Sequence, residues 1–202
     1  MVRLGAQLLG AKYYDGTKFF EVLDGTKSGG VKTVQGGIQG NPAVGKPWRK
    51  KPIEDDPWPA AVPGLSNRKG TLALVPTPPG GGDADSARST QFIIHLSDNG
   101  KAYDGGGGDD ATGAALVPLG EVVSGLEVLE TLLEQHSQQA EAAAAAAGET
   151  GSEGGGAMAA EDIQKIYEQG DRFLDRHNGD LAFIHSARYN KKFKKQADAK
   201  EL

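Results

Sequence analysis

The spacing of apolar residues changes several times along this chain, and each change predicts an element. Over residues 3–12, Leu4, Leu8 and Leu9 form a short helical stripe. From Phe19 to Leu23 apolar positions alternate and meet Asp24-Gly25, a turn signal, so a strand is predicted there. TKSGG at 26–30 is a polar loop, and alternation resumes over 31–35. Residues 40–66 hold proline and tryptophan without a period and predict a long irregular loop. Compact β-type runs follow at 70–75 (GTLALV) and 91–96 (QFIIHL), separated by the turn-rich PTPPGGGDADSARS. LVPLGEVV at 116–123 is a further strand candidate, broken by Pro118 and Gly120.

Helical spacing returns after Ser124. Ser124 and Glu127 have capping-box spacing, and Leu126, Val128, Leu129, Leu132 and Leu133 form the predicted buried stripe. The alanine run 142–147 can extend this helix before the flexible GETGSEGGG. Ile163, Ile166, Tyr167, Phe173 and Leu174 mark another amphipathic helix with Gly170 inside it, and 181–184 (LAFI) can return to the sheet. Short strands, long Gly/Pro loops and few helices predict a mainly β fold, a closed barrel with capping helices. The expected division is a barrel domain over 1–139, an Ala/Gly-rich linker over 140–160, and a C-terminal helix with basic tail over 161–202 packing on the barrel.

Composition narrows the chemistry. The chain has 202 residues, 30 of them glycine and 10 proline, with 38% hydrophobic content, which suits one loop-rich globular domain. Net charge is −5, so no global basic field points to nucleic acid. The basic run at 191–195 reads as a solvated tail or as a contact for an acidic partner. Without cysteine there is no disulfide scaffold, thiolate metal site or thiol nucleophile. No apolar run is long enough to span a membrane, and MVRLGAQLLGAK lacks the features of a signal peptide. His95, His136, His177 and His185 are scattered, so neither a metal nor another cofactor is expected. GGIQG and GGGG lack the lysine-serine ending of a phosphate loop, and Asp109-Asp110 reads as loop rather than calcium site. Trp48 and Trp58 either pack the 40–66 loop onto the barrel or anchor a partner protein.

The blocks YYDGTKFF, VQGGIQGNPAV, PIEDDP, SNRKGTLAL, STQFIIHLSDN and PLGEVVSGLEVLETL occur in an order that resembles the cyclophilin-type peptidyl-prolyl isomerases. The resemblance runs from about Lys12 to Leu133, closest to the branch with a G-x-x-G-x-P-A-V loop and an extra C-terminal helix. It implies an eight-stranded barrel with a helix over each open end. Family members place two strands before the first helix, whereas here a helix starts almost at Met1. The first two strands are thus expected to be missing, through truncation or with another segment closing the barrel; truncation is favoured, since it also accounts for the absent targeting signal. The compartment is left open, and an organelle fits if a targeting peptide has been removed or is missing.

The resemblance also implies a site. The family twists an X-Pro amide, whose barrier is about 18–20 kcal/mol, without covalent chemistry. A hydrophobic slot holds the proline ring, polar groups hold the flanking backbone, and an arginine donates hydrogen bonds to the twisted amide. Glu21 stands at the arginine position, and an ionised carboxylate can only accept. Without the resemblance, Glu21 reads as a solvated residue on an edge strand. Gln35 matches the backbone-binding glutamine, and Gln91 a second polar position of the pocket. Phe19 aligns with the block's phenylalanine, and Ile93 replaces a pocket phenylalanine, with Phe92 assigned to the core. Val75-Pro76-Thr77 replaces a backbone-binding segment that carries asparagine, and Pro76 has no N–H to offer. The family tryptophan maps near Ala102, its histidine near Leu116 and a later pocket phenylalanine near Leu119. Extra residues between Gly25 and Gln35 displace the aromatic floor, and Lys32 is a candidate substitute cation. The implied function is a cyclophilin-like protein with a degraded site that binds a proline-containing segment or a partner protein, as a subunit of a larger assembly. The alternative is an active isomerase assisting protein folding.

Overall fold

The structure is a computed structural model and describes residues 7–25, 30–49, 51, 65–76, 88–104, 116–147, 158–177 and 181–188. Its centre is a five-stranded antiparallel sheet in the order β1-β2-β4-β3-β5. The strands are β1 (Glu21–Asp24), β2 (Lys32–Gly36), β3 (Thr71–Pro76), β4 (Arg88–His95) and β5 (Pro118–Glu121). The helices are α1 (Pro42–Arg49), α2 (Gly100–Tyr103), α3 (Leu126–Ala147), α4 (Ala160–Gln169) and α5 (Asp171–His177). Residues 7–10 are also helical, with Leu8 buried, while Leu4 lies outside the described residues.

Strand alternation gives the sheet two faces. Val22, Val34, Leu72, Leu74, Phe92, Ile94 and Leu96 share one core, closed by Tyr14, Phe19 and by Leu126, Leu129, Leu132 and Leu133 of α3. Ser137 of α3 also donates to Asp24 of β1 at 3.3 Å. The opposite face holds Glu21, Gln35, Gln91, Ile93 and Ala73. A second core lies beside it, where Phe20 and Ile38 pack with Ile163, Ile166, Phe173 and Leu174 of α4 and α5.

Several expectations need correction. Among the described residues the sheet is open, with β1 and β5 at its two edges, rather than a closed barrel. The 40–66 stretch contains a helix at its start. Asn41 caps it, its Oδ1 accepting the Ala43 N–H at 3.0 Å, and Pro42 follows at the first helical position, where its missing N–H costs nothing. Helix α3 begins after Gly125, whose φ is +86°, so Ser124 does not cap it. Val128 is 66% exposed; Leu126, Leu129 and Leu133 already define the inward line, and a residue two places after Leu126 points away from it. The expected helix with an internal Gly170 is two helices, because Gly170 takes φ +61° and ends α4. A Cβ there would stand 1.9 Å from the Gly40 carbonyl oxygen, and Asp171 N–H donates to that same oxygen at 3.0 Å, so the break is keyed to the Gly40 loop. Residues 181–184 form a single bridge, Lys18↔Phe183, with the segment that leads into β1, rather than a strand of the sheet. The alanine run does extend α3, through Ala147, which makes 140–147 helical.

The turn run at 77–87, the glycine loop from 105 with Asp109-Asp110, the rest of the linker through 157, Trp58, PIEDDP and the basic tail lie outside the described residues. Trp48 belongs to α1, and its ring meets Tyr13 edge-on at 5.9 Å, packing that segment onto the fold.

Position on α3 sets a simple test. Leu133→Ala empties a buried site facing the sheet and is expected to cost about 3 kcal/mol. Val128→Ala is expected to stay within about 0.5 kcal/mol. Urea midpoints of the two variants check the difference.

Candidate functional site

One row of residues crosses the sheet opposite α3. Register places Glu21 against Gln35, Gln35 against Ile93, and Ile93 against Ala73. Gln91 lies two residues before Ile93 and therefore on the same face. The Gln35 Nε2 donates to Gln91 Oε1 at 2.9 Å, and Gln91 Nε2 donates to the Tyr167 hydroxyl at 2.7 Å. Gln91 is fully buried with both ends of its carboxamide paired within the chain, and Gln35 is 7% exposed with its Nε2 paired to Gln91.

The close approach of β2 and β4 depends on the glycines that follow Gln35. Gly37 has φ +99°, and a Cβ on it would fall 2.3 Å from the Thr90 carbonyl oxygen. Tyr13 fastens the same point, its hydroxyl donating to Gly37 O at 3.3 Å or to Thr90 Oγ1 at 3.1 Å. Tyr14 donates to Thr90 O at 3.1 Å. The opening YYDG is thus a clamp that fixes Gln35 relative to Gln91.

Beside the glutamines lies an apolar cluster of Ala73, Ile93 and Leu116, flanked by Val75 and Tyr103. Leu116 N–H donates to Tyr103 O at 3.0 Å, which ties the approach to β5 to α2. His95 packs its ring against Tyr103 at 5.4 Å. Its Nδ1 lies 3.0 Å from Asn99 Nδ2, a donor, so the proton belongs on Nε2. Burial pulls the His95 pKa down to about 4. Asp104 accepts from Ser66, from the Asn67 N–H and from the Asn67 side chain, and stays ionised, held below the usual carboxylate range. This network fixes α2, and so the Tyr103 ring, against the sheet.

Glu21 is the charged group of the row. Burial pushes its carboxyl up to about 7, although the Met158 backbone N–H donates to it and works in the opposite direction. Its charge in turn raises the Tyr103 phenol, after burial itself. The solvated residue that a lone strand pattern suggests is therefore half-buried, with a main-chain donor from the segment before α4.

The structure brings together Glu21, Gln35, Gln91, Ile93 and, at the cluster's edge, Val75. It does not bring Phe19 to them: that ring lies in the α3-side core, edge-on to Phe92 at 6.2 Å. Leu119 sits at an irregularity between β3 and β5 and is 40% exposed, while Leu116 fills the apolar cluster. Lys32 is exposed and stands three residues from Gln35, an odd step on a strand, so it belongs to the opposite face and is no substitute cation there. Tyr103 and Tyr167 were not legible as site residues. Tyr103 is one position past Ala102, where the tryptophan alignment pointed. Tyr167 gave only a helical apolar signal, and nothing in the sequence reports its hydroxyl's partner. Among the described residues no three His, Asp or Glu side chains gather as metal ligands, and no helix is long and apolar enough to cross a membrane.

Residues 6–147 match the family described as cyclophilin type peptidyl-prolyl cis-trans isomerase/CLD. No curated protein matches the chain. Among solved structures, the chain is similar to a Cryptosporidium parvum cyclophilin type peptidyl-prolyl cis-trans isomerase crystallised in the presence of the dipeptide Ala-Pro. Identity is 18% and TM-score 0.40, covering 65% of this chain and 70% of that one. A second structure of the same parasite protein gives 18% identity, TM-score 0.40 and coverage of 65% and 68%. With well over half its length matched, the chain belongs to the cyclophilin-type peptidyl-prolyl isomerase family.

Proposed function

We propose that this cyclophilin-family domain binds proline-containing chain segments of a partner protein or neighbouring subunit, with isomerase activity weak or lost. The observation that carries the reading is Glu21, a half-buried carboxyl in the same row as Gln35 and Ile93. A twisted prolyl amide needs a hydrogen-bond donor facing it. With its pKa at about 7 the Glu21 carboxyl is ionised in a large share of molecules at neutral pH and then offers only acceptors. Losing one preorganised donor costs on the order of 10²–10³ in rate. The carboxamides of Gln35 and Gln91 still form a paired backbone-binding unit beside the apolar cluster around Ile93. That pair supports binding, and it is also what favours the second reading, an active isomerase working through slot and glutamines alone.

NMR exchange spectroscopy on an Ala-Pro peptide separates the two. With the native chain, cis/trans exchange is expected to stay on the uncatalysed scale of about 10–100 s, and Glu21→Arg is expected to restore part of the acceleration. Clear acceleration by the native chain would overturn the proposal and establish the second reading.

A further inference from the structure

The groups that should receive a ligand are already occupied by the chain itself. Gln91 Nε2 donates to the Tyr167 hydroxyl, and the Glu21 carboxyl accepts from the Met158 backbone N–H. Both partners come from one stretch, the approach to α4 and α4 itself. That stretch offers one acceptor to Gln91 and one main-chain donor to Glu21, the same pair of polarities that a peptide unit would present.

How the stretch is held matters as much as what it touches. The Arg49 guanidinium of α1 lies 4.1 Å from the centre of the Tyr167 ring and donates to Gln164 at 2.7 Å. Ile163 and Ile166 of α4 are buried in the second core, and Met158 and Tyr167 pack against it at its margin. The N-cap residue of α4, Ala159, has no side chain to cap the first turn. The polar contacts over the sheet are single hydrogen bonds, worth about 1 kcal/mol net at Gln91 and about 1.5–3 kcal/mol at Glu21 when it is ionised, and replaceable by equivalent bonds to an incoming chain. Short elements at the margin of a fold, without a side-chain cap, open locally at a fraction of the global unfolding energy.

We propose that residues 158–169 are a cover bound in cis over the Gln35–Gln91 site, with the Tyr167 hydroxyl standing where a ligand carbonyl oxygen would accept from Gln91. A proline-containing segment then binds by displacing the cover, and its apparent affinity is lowered by the free energy that holds the cover down. This rests on the binding function proposed above, and it adds what regulates access to that site.

The test uses the full-length chain and the dipeptide acetyl-Ala-Pro-amide. Binding is followed through the side-chain amide signals of Gln35 and Gln91, and cover release through hydrogen exchange of the backbone amides at 163–169. The cover predicts that saturating dipeptide accelerates exchange at 163–169. It also predicts that Tyr167→Phe, which keeps the ring against Arg49 and removes the hydroxyl that accepts from Gln91, binds about tenfold more tightly. Dipeptide that shifts both glutamine signals with equal affinity for the native chain and Tyr167→Phe, leaving exchange at 163–169 unchanged, overturns the cover and leaves the binding function standing. No shift of the Gln35 and Gln91 signals in the native chain, Tyr167→Phe or Tyr167→Ala overturns the binding function and the cover with it. The exchange measurement on the native chain needs no variant, so it decides the matter even if a substitution unfolds the protein.

Discussion

Glu21→Gln is expected to stabilise the protein at pH 8 by up to about 3 kcal/mol while changing little near pH 4. The folded chain holds the Glu21 carboxyl at about 7, against 4.5 for the unperturbed group, because burial opposes its charge. A raised carboxyl keeps its proton in the fold where the unfolded chain has released it. Its contribution to stability is therefore full below about 4.5 and is lost as pH rises through about 7. The solvent contact that this half-buried group keeps lowers the figure. His95 works the other way. Burial holds it near 4 instead of 6.5, so its contribution is present above 6.5 and disappears as pH falls towards 4. The two slopes oppose each other between about 4.5 and 6.5, and the native chain is expected to be nearly flat there. The variant keeps only the His95 slope, gaining stability up to pH 6.5 and levelling off above it. Denaturant unfolding of both proteins from pH 4 to 8 checks the prediction, and parallel curves would show that Glu21 ionises in the fold much as it does in water.

An effect of similar size and opposite sign is expected from Gly37→Ala, a loss of about 3 kcal/mol or more. Two costs combine there. The residue sits at φ +99°, a region where a side chain costs about 1 kcal/mol, and its Cβ would lie 2.3 Å from the Thr90 carbonyl oxygen, main chain that moves only with β4. Gly16→Ala is the control. Its φ is +77°, but nothing stands within 4 Å of the added carbon, so only the conformational cost of about 1 kcal/mol should appear. Thermal melts of the two variants isolate the steric part. Separating β2 from β4 at Gly37 should also loosen the Gln35–Gln91 hydrogen bond, visible as faster exchange of the Gln35 side-chain amide. Equal losses in the two variants would show that β2 and β4 are not as tightly approached as the geometry requires.

Much of this was legible along the chain. Compact apolar runs marked β3 and β4 and a broken run marked β5, while alternating apolar residues marked β1 and β2 to within a few positions, because a strand that buries one face has to alternate. The leucines of α3 declared their inward line for the same reason, and only Val128 was assigned to the wrong side. Misses came where local sequence left two outcomes open. Gly170 is compatible with the middle of a helix or with its end. The Gly40 carbonyl, more than a hundred residues earlier, decides the matter by filling the space a helical neighbour would need. Asn41-Pro42 could begin a helix or a turn, and α1 forms where its far end reaches α4 through Arg49 and Gln164. Phe19 aligned with a site block but turned to the core, since the chain enters β1 only at Glu21 and the ring before it meets Phe92.

The sequence by itself determined the family, the strand segments and the positions of the two glutamines, since these follow from residue order and from the spacing of apolar residues, while the antiparallel pairing came from the fold. It also placed a carboxylate in the row where a donor was expected. Only the tertiary structure decided what surrounds that carboxylate. Whether Glu21 is solvated or half-buried, and whether Gln91 is open or capped by Tyr167, depends on a segment some 70 to 140 residues further along the chain. Burial and hydrogen-bond partnership are properties of the packed chain, and no local pattern carries them.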